Sequence, residues 1–160
     1  MNHKLRRTTF LPRDLGEVFG FFGNPRNLET ITPPWLGFRV KSTSDATVRQ
    51  GTRIRYRLSL HGIPMSWESR ITEYQANSHF ADEQITGPYA HWYHRHTFRE
   101  VAGGVEMTDD VDYRLPFGPL GRLVNWLVVR HQLRAIFDYR TQVIAEHFGD
   151  VTQAQQPVTA

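Results

Sequence analysis

Cysteine is missing from this sequence of 160 residues. Its absence excludes disulfide scaffolds, thiolate zinc sites and cysteine nucleophiles. It also agrees with a reducing compartment, and we predict a cytoplasmic location. No apolar run approaches the ~20 residues that a membrane-spanning helix needs, and the segment Met1–Phe10 is too polar for a signal peptide.

A strong charge of one sign is also lacking. The formal net charge is only +3, which is too small to indicate a nucleic-acid partner. The sequence has no glycine-rich phosphate loop, no nucleophile elbow and no dinucleotide-binding signature. We therefore expect neither a nucleotide nor any other cofactor, and the sequence leaves the oligomeric state undetermined.

Glycine and proline, the usual helix breakers, are absent from residues 122–148. This gap predicts one long helix from about Pro119 to Phe148, which would span about 45 Å. At helical spacing one face carries apolar residues interrupted by two arginines. The predicted face consists of Leu123, Trp126, Leu127, Arg130, Leu133, Arg134, Phe137, Ile144 and Phe148.

The chain before this helix is dominated by short alternating segments. A first strand at His3–Leu11 precedes two short helices, one at Leu15–Phe22 and one from Pro25 to about Ile31. About six strands follow, beginning with one predicted at Trp35–Ser42. The glycine pair Gly103-Gly104 predicts a hairpin that sets His96 opposite Val111 and Phe98 opposite Asp109.

This order of elements predicts an α+β fold. A curved antiparallel sheet would wrap around the long C-terminal helix, with the two short helices following the first strand. Residues 1–150 are expected to form one domain, and residues 151–160 a flexible polar tail. Because one helix cannot fill the concave side of a curved sheet, a cavity is expected between them.

Six motifs are distributed along the chain: Met65-x-Trp67-x-Ser69-Arg70-Ile71, Phe80-x-Asp82-Glu83-Gln84 with Gly87-Pro88-Tyr89, Trp92-x-His94-x-His96-x-Phe98, Asp109-x-Val111-x-Tyr113, Pro116-Phe117-Gly118-Pro119-Leu120-Gly121 and Ile136-Phe137-Asp138-Tyr139-Arg140. Together they resemble the SRPBCC (START-like, helix-grip) superfamily, in particular its bacterial polyketide-cyclase-like, ligand-binding members. The resemblance covers nearly the whole chain and implies a ligand cavity gated by the two short helices. It does not imply a single activity, because one fold carries many functions.

Three polar residues, His94, His96 and Asp109, fall on the strand face that the pattern assigns to the interior. They could orient a carbonyl or hydroxyl group of a ligand, act as an acid/base pair, or form a closed network that only pins the hairpin. The facing of Asp82 and Gln84 stays open. The predicted ligand-binding residues are Trp67, Phe80, Gln84, Trp92, His94, His96, Phe98, Asp109, Tyr113, Trp126, Arg130 and Phe137.

Other features have two interpretations each. A metal held by His94 and His96 with Asp109 is a weak alternative, and we predict none. Arg130 and Arg134 could reach a ligand carboxylate, but we favour the alternative that they extend to solvent past the sheet edge or pair with Asp82 or Asp109. Arg140 is expected at an exposed or sheet-edge position.

The outward row Arg53, Arg55 and Arg57 could meet an anionic membrane surface, although a solvated strand face is the preferred interpretation.

The sequence therefore predicts a carrier or sensor of a hydrophobic small molecule, such as a lipid, a quinone or a polyketide-like compound. No transmembrane segment is expected, and peripheral membrane contact stays open. The first alternative is an aromatase/cyclase-like or dehydratase-like enzyme, with His94 or His96 as base and Asp109 as its orienting group. The second is a protein-interaction module with a vestigial cavity.

Overall fold

The fold was obtained as a computed structural model that describes residues 2–60 and 62–149, and the backbone of residues 152–154. Its strands are β1 (His3–Leu11), β2 (Arg39–Thr43), β3 (Arg53–Leu60), β4 (Ile63–Gln75), β5 (His79–Thr86), β6 (His91–Val101), β7 (Gly104–Arg114) and β8 (Thr152–Ala154). Its α-helices are α1 (Leu15–Phe22), α2 (Gly118–Val124) and α3 (Arg130–Phe148). Short 3-10 turns occupy Pro25–Leu28 and Pro34–Leu36, and a π-helical turn, Asn125–Val129, joins α2 to α3.

The strands form one antiparallel sheet in the order β2-β3-β4-β5-β6-β7-β1-β8. The sequence order β2 to β7 is kept because each of these strands is joined to the next by a short connection. The sheet curves around the C-terminal helix, so the predicted α+β architecture is confirmed. Part of the predicted tail, Thr152–Ala154, pairs with β1, whereas residues 151 and 155–160 lie outside the described residues.

The two short helical segments after β1 begin where the sequence predicts. Asp14 caps α1 by accepting a hydrogen bond from the backbone N–H of Glu17, and Asn24 caps the turn that begins at Pro25. The predicted strand at Trp35–Ser42 is wrong at its start. A 3-10 turn ends there at Gly37, whose positive φ of 52° lies in the left-handed region, and the strand begins only at Arg39.

The β6–β7 hairpin differs from the predicted register by two residues. Val101 pairs with Gly104, so Ala102 and Gly103 form the loop, His94 lies opposite Val111 and His96 lies opposite Asp109. Gly104 serves a different purpose from a turn residue, because a Cβ there would lie 2.2 Å from the carbonyl oxygen of Leu11. A shift of two residues leaves every side chain on its predicted face.

The C-terminal helix begins differently from the prediction. Its π-helical turn changes the phase of the apolar face, since five residues replace about four in one turn. Val129, Leu133, Phe137, Ile144 and Phe148 are buried, as is the polar Asn125. The predicted buried positions Leu123, Trp126 and Leu127 are exposed instead, so the first third of the predicted face was wrong.

Candidate functional site

A cavity of about 170 Å³, taken as the space open to the centres of water molecules, lies between the sheet and α3. One water needs only ~10–15 Å³ in this measure, so the cavity can hold a small organic molecule. Its walls come from the end of α1, the two 3-10 turns, strands β3 to β6 and helix α3. Most of the lining is aliphatic or aromatic, which suits an apolar guest.

The polar floor of the cavity is built on β6 and β7. His94 and His96 alternate with outward residues on β6, and Asp109 lies on the facing strand. The Nε2 atom of His94 lies 2.9 Å from Oδ1 of Asp109 in a hydrogen bond. The Nδ1 atom of His96 lies 2.8 Å from the same oxygen, although its N–H is poorly aligned for a hydrogen bond. A single carboxylate oxygen of Asp109 therefore contacts one nitrogen of each imidazole ring.

The protonation of this group follows from burial and contact. Burial raises the pKa of Asp109, but the contacts from His94 and His96 outweigh burial and hold that pKa well below its ordinary value. Burial, together with the neighbouring His94, lowers the pKa of His96 from 6.5 to about 4. Since an ionised carboxylate only accepts, we assign the proton of His96 to Nδ1, which leaves Nε2 as an acceptor.

The lowered pKa values of His96 and Asp109 predict that the free energy of unfolding decreases as the pH is lowered. Between pH 6.5 and about 4, His96 binds a proton in the unfolded chain but not in the folded protein. The unfolded state then holds more protons, so the free energy of unfolding decreases as the pH decreases through this window. Below pH ~3.9, the ordinary pKa of an aspartate, the free energy of unfolding should decrease further. In this range Asp109 binds a proton in the unfolded chain, whereas its carboxylate is still ionised in the folded state.

Urea unfolding followed at a series of pH values measures this effect. The variant His96→Gln is the control, because it removes the titrating ring and should flatten the curve between pH 4 and 6.5. An unchanged slope in His96→Gln, or no slope in the wild type, would contradict the assignment.

A second polar group faces the histidines from β4 and β5. Ser69 donates to Oδ1 of Asp82 at 3.2 Å and accepts from the indole nitrogen of Trp67 at 3.1 Å. The hydroxyl of Tyr56 lies 3.1 Å from the same serine oxygen. Burial and the charge of Asp82 raise the pKa of Tyr56 well above its ordinary value. The other oxygen of Asp82 lies 3.8 Å from Nδ1 of His94, on the side of the ring away from Asp109.

Arg140 contributes a buried positive charge from α3. Its side chain is only 11% exposed, and its Nη1 atom lies 3.8 Å from Oδ1 of Asp109. The guanidinium packs over the ring of Phe137 at 4.9 Å. Its Nε and Nη1 atoms are buried without a hydrogen-bond partner among the described residues. A guest with an oxygen acceptor would supply the missing partner.

The predicted exposed or sheet-edge position of Arg140 was wrong. The sequence held a signal that the prediction did not use: residue 140 is three positions after Phe137 and four before Ile144, which are both buried. At helical spacing this places Arg140 on the same face. Ser69 and Tyr56 also belong to the polar site, although neither was among the candidate site residues predicted from the sequence.

Three of these groups could hold a metal ion. One ligand atom each from Asp82, His94 and His96 lies within 4.8 Å of the others. One nitrogen of each ring faces Asp109, an arrangement that orients imidazole ligands in metal sites. Asp109 lies behind the rings rather than beside them, so it would support such an ion and not bind it as the third ligand. The chemistry open to the site therefore includes hydrogen bonding, proton transfer and metal binding.

The structure brings together half of the predicted ligand-binding residues. Those that line the cavity are Trp67, Phe80, Trp92, His94, His96 and Phe137. Asp109 lies directly behind the histidines. Phe98 is buried one pair further along the hairpin, against Phe19 and Phe80.

The remaining predicted residues lie elsewhere. Gln84 bonds the backbone of Tyr89 through both ends of its amide and braces the turn between β5 and β6. Tyr113 donates to Oδ1 of the buried Asn125 at 2.9 Å. Trp126 is 57% exposed, and Arg130 packs over its ring outside the cavity. The predicted place of Trp126 and Arg130 within the site was therefore wrong, because the π-helical turn rotates them outward.

The fold and the cavity together define a helix-grip domain with a mostly apolar internal site. A family model described as "Polyketide cyclase / dehydrase and lipid transport" matches residues 11–137. The chain belongs to this family, which confirms the resemblance seen in the motifs. No curated protein sequence matched the chain.

Solved structures with the same fold come from plants and bacteria. Ginseng major latex-like protein 151 from Panax ginseng is 16% identical, with a TM-score of 0.64 over 93% of this chain and 99% of that one. Protein CV1439 from Chromobacterium violaceum is 13% identical, with a TM-score of 0.65 over 92% and 98%. TTHA0849 from Thermus thermophilus is 16% identical, with a TM-score of 0.62 over 92% and 99%. At these identities the likeness establishes the fold alone. No helix in the described part of the chain is long and apolar enough to cross a membrane.

Proposed function

We propose that this protein binds and carries an apolar small molecule that bears one oxygen-containing polar group. The single observation that carries the proposal is a mostly apolar cavity beside which two nitrogens of Arg140 are buried with no hydrogen-bond partner among the described residues. The apolar body of the guest would lie against the aromatic walls, at about 25 cal/mol for each Å² removed from water. Its oxygen would accept from Arg140, and a hydroxyl on it could donate to Nε2 of His96.

The lowered pKa of His96 favours ligand binding over proton abstraction by this residue. A general base works best when its pKa lies near the working pH, and His96 has a pKa of about 4. At neutral pH His96 is therefore a good hydrogen-bond acceptor but a weak base. Lipids, quinones and polyketide-like compounds all combine an apolar body with oxygen acceptors. They form the ligand class that we expect.

A cyclase-like or dehydratase-like enzyme is the second candidate. The observation that favours it is the Asp109–His94 hydrogen bond, which fixes an imidazole within 3.8 Å of a second carboxylate, Asp82. Turnover by such an enzyme should be abolished in His94→Gln and in His96→Gln. A carrier should retain its apolar affinity in both variants.

The test uses three bicyclic probes that differ only in their polar group: naphthalene, 2-naphthol and 2-naphthoic acid. Isothermal titration calorimetry should show binding of all three, with the acid or the naphthol tighter than naphthalene. Met65→Trp, which adds volume at a partly exposed lining position, should weaken all three probes. Ile85→Trp on β5 is the matched control, because residue 85 is exposed and outside the lining. The proposal fails if no probe binds or if both tryptophan variants behave alike.

Native mass spectrometry of the purified protein, followed by organic extraction, would identify a resident guest. We expect release of a compound with an apolar body and at least one oxygen. Release of a purely polar metabolite would contradict the proposal.

A further inference from the structure

A large apolar surface surrounds the start of the C-terminal helix. Seven of the ten large apolar side chains exposed in the described part of the chain fall within residues 117–128. Monomeric soluble proteins rarely expose so much contiguous apolar area without using it for an interaction. We call this the helix-start surface; it consists of Phe117, Leu120, Leu123, Val124, Trp126, Leu127 and Val128.

The folding of the helix itself produces this exposure. The π-helical turn carries Asn125 inward, where Tyr113 donates to it at 2.9 Å, and Val129 is buried on the same side. Trp126 and Leu127 then point outward, at 57% and 55% exposure. A helix that buries an asparagine and exposes a tryptophan does not satisfy its apolar residues within its own core. Its exposed residues therefore require another partner.

The charge around this surface has one sign. Between Asp112 and Asp138 the sequence contains Arg114, Arg122, Arg130 and Arg134, one histidine and no acidic residue. None of these four arginines pairs with a carboxylate among the described residues. By contrast, two arginines of the outward row on β3, Arg53 and Arg55, are both paired with Glu68. Unpaired positive charge is therefore more abundant in residues 114–134, with four arginines, than in the β3 row, where only Arg57 has no carboxylate partner among the described residues.

The helix-start surface also borders the cavity. A groove between the helix and the 3-10 turn Pro34–Leu36 is lined by the exposed Trp35 together with Leu127 and Val128. Leu36 and Gln132 line both this groove and the cavity. None of the described residues that line the groove is acidic. A guest that leaves the cavity on this side would therefore pass directly over the helix-start surface.

We propose that the helix-start surface docks the protein on an anionic lipid bilayer, with this side of the cavity turned toward the lipid. Exposed tryptophan and leucine side chains insert at the boundary of headgroups and acyl chains, while arginines contact the phosphates. The apolar side chains cover a wide arc of the helix instead of one narrow stripe, which suits a deformable lipid surface better than a shaped protein groove. Docking on the bilayer does not depend on which molecule the cavity holds, whereas the loading of a guest from the bilayer rests on the proposed function.

The test is co-sedimentation with vesicles of phosphatidylcholine, with or without phosphatidylglycerol. The wild type should bind the mixed vesicles, bind pure phosphatidylcholine at least tenfold more weakly, and lose binding at high salt. The double variant Trp126→Ser/Leu127→Ser and the variant Arg122→Glu should each lose about tenfold or more. Because all three positions are exposed, these changes should leave the fold intact, which circular dichroism would verify.

Matched controls are Ile85→Ser, another exposed apolar residue, and Arg57→Glu, an exposed arginine on β3. Both should bind vesicles like the wild type. Equal binding to neutral and anionic vesicles would overturn the proposal, as would equal losses in the controls. Sedimentation that shows a dimer broken by Trp126→Ser/Leu127→Ser would overturn it too, since a second copy would then cover the surface. Because no probe compound is used, failure here leaves the cavity proposal untouched.

Discussion

Replacing Asp109 by alanine should cost about 3–5 kcal/mol of the free energy of unfolding, the range found when one partner of a buried charged cluster is removed. Asp109 is 2% exposed, and its Oδ1 is the group nearest to one nitrogen of each of two buried rings. Its loss would leave His94 and His96 without an acceptor and bring Arg140 against two imidazoles with no counter-charge. Urea unfolding at neutral pH measures the change.

Asp110→Ala is the matched control for this prediction. Asp110 is the next residue on the same strand but faces outward, where it pairs with Arg6 at 3.5 Å on the surface. An exposed ion pair of this kind contributes little to stability, so Asp110→Ala should lower the free energy of unfolding by less than about 1 kcal/mol. Asp109→Asn should fall between the two, since an amide keeps the shape but accepts with only one oxygen. Similar losses for Asp109→Ala and Asp110→Ala would show that the buried network is not what holds the hairpin.

Replacing Arg140 by methionine should lower the affinity for 2-naphthoic acid by roughly ten- to a hundredfold, the size expected for a lost charge-assisted contact. The affinity for naphthalene should stay within about twofold, because that probe offers no oxygen acceptor. The free energy of unfolding should fall, because removal of Arg140 leaves the ionised, buried Asp109 without the positive charge that lies 3.8 Å away. The loss should be smaller than in Asp109→Ala, because Nη1 of Arg140 makes no hydrogen bond among the described residues.

Two further variants sharpen this prediction. Arg140→Lys keeps the charge but loses the planar fork, so it should recover only part of the affinity for the acid. Arg130→Met changes an arginine of the same helix outside the cavity and should leave all probe affinities unchanged. If Arg140→Met destabilised the protein and left the acid affinity intact, Arg140 would be a structural partner of Asp109 and the proposed polar subsite would be lost.

The faces of the β6–β7 hairpin could be predicted because side chains in a strand alternate strictly. His94, His96 and Asp109 were assigned to the interior from this period alone, and all three are buried. The error of two residues in register did not change their faces, but it changed their partners. The close approach of β1 to Gly104, 93 residues after Leu11, agrees with the observed register, because a side chain at position 104 would collide with the carbonyl oxygen of Leu11.

The helix shows the limit of reasoning from periodicity. From Leu133 to Phe148 the apolar residues of the predicted face are buried, because this part is a regular α-helix packed on the sheet. Before Val129 the prediction fails, because a π-helical turn changes the period and the spacing rule assumes a constant one. The hydrogen bond between Tyr113 and Asn125, which contributes to this change of phase, joins two elements that sequence spacing cannot relate.

The sequence by itself determined the class of fold, the inward faces of the strands and the imidazole–carboxylate group, since each depends on local period and residue type. The tertiary structure decided the rest: which carboxylate lies behind the histidines and which beside them, the contact of Arg140 with Asp109, and the outward turn of Trp126. These depend on contacts between distant segments and on one irregular helical turn, and neither has a local signature in the chain.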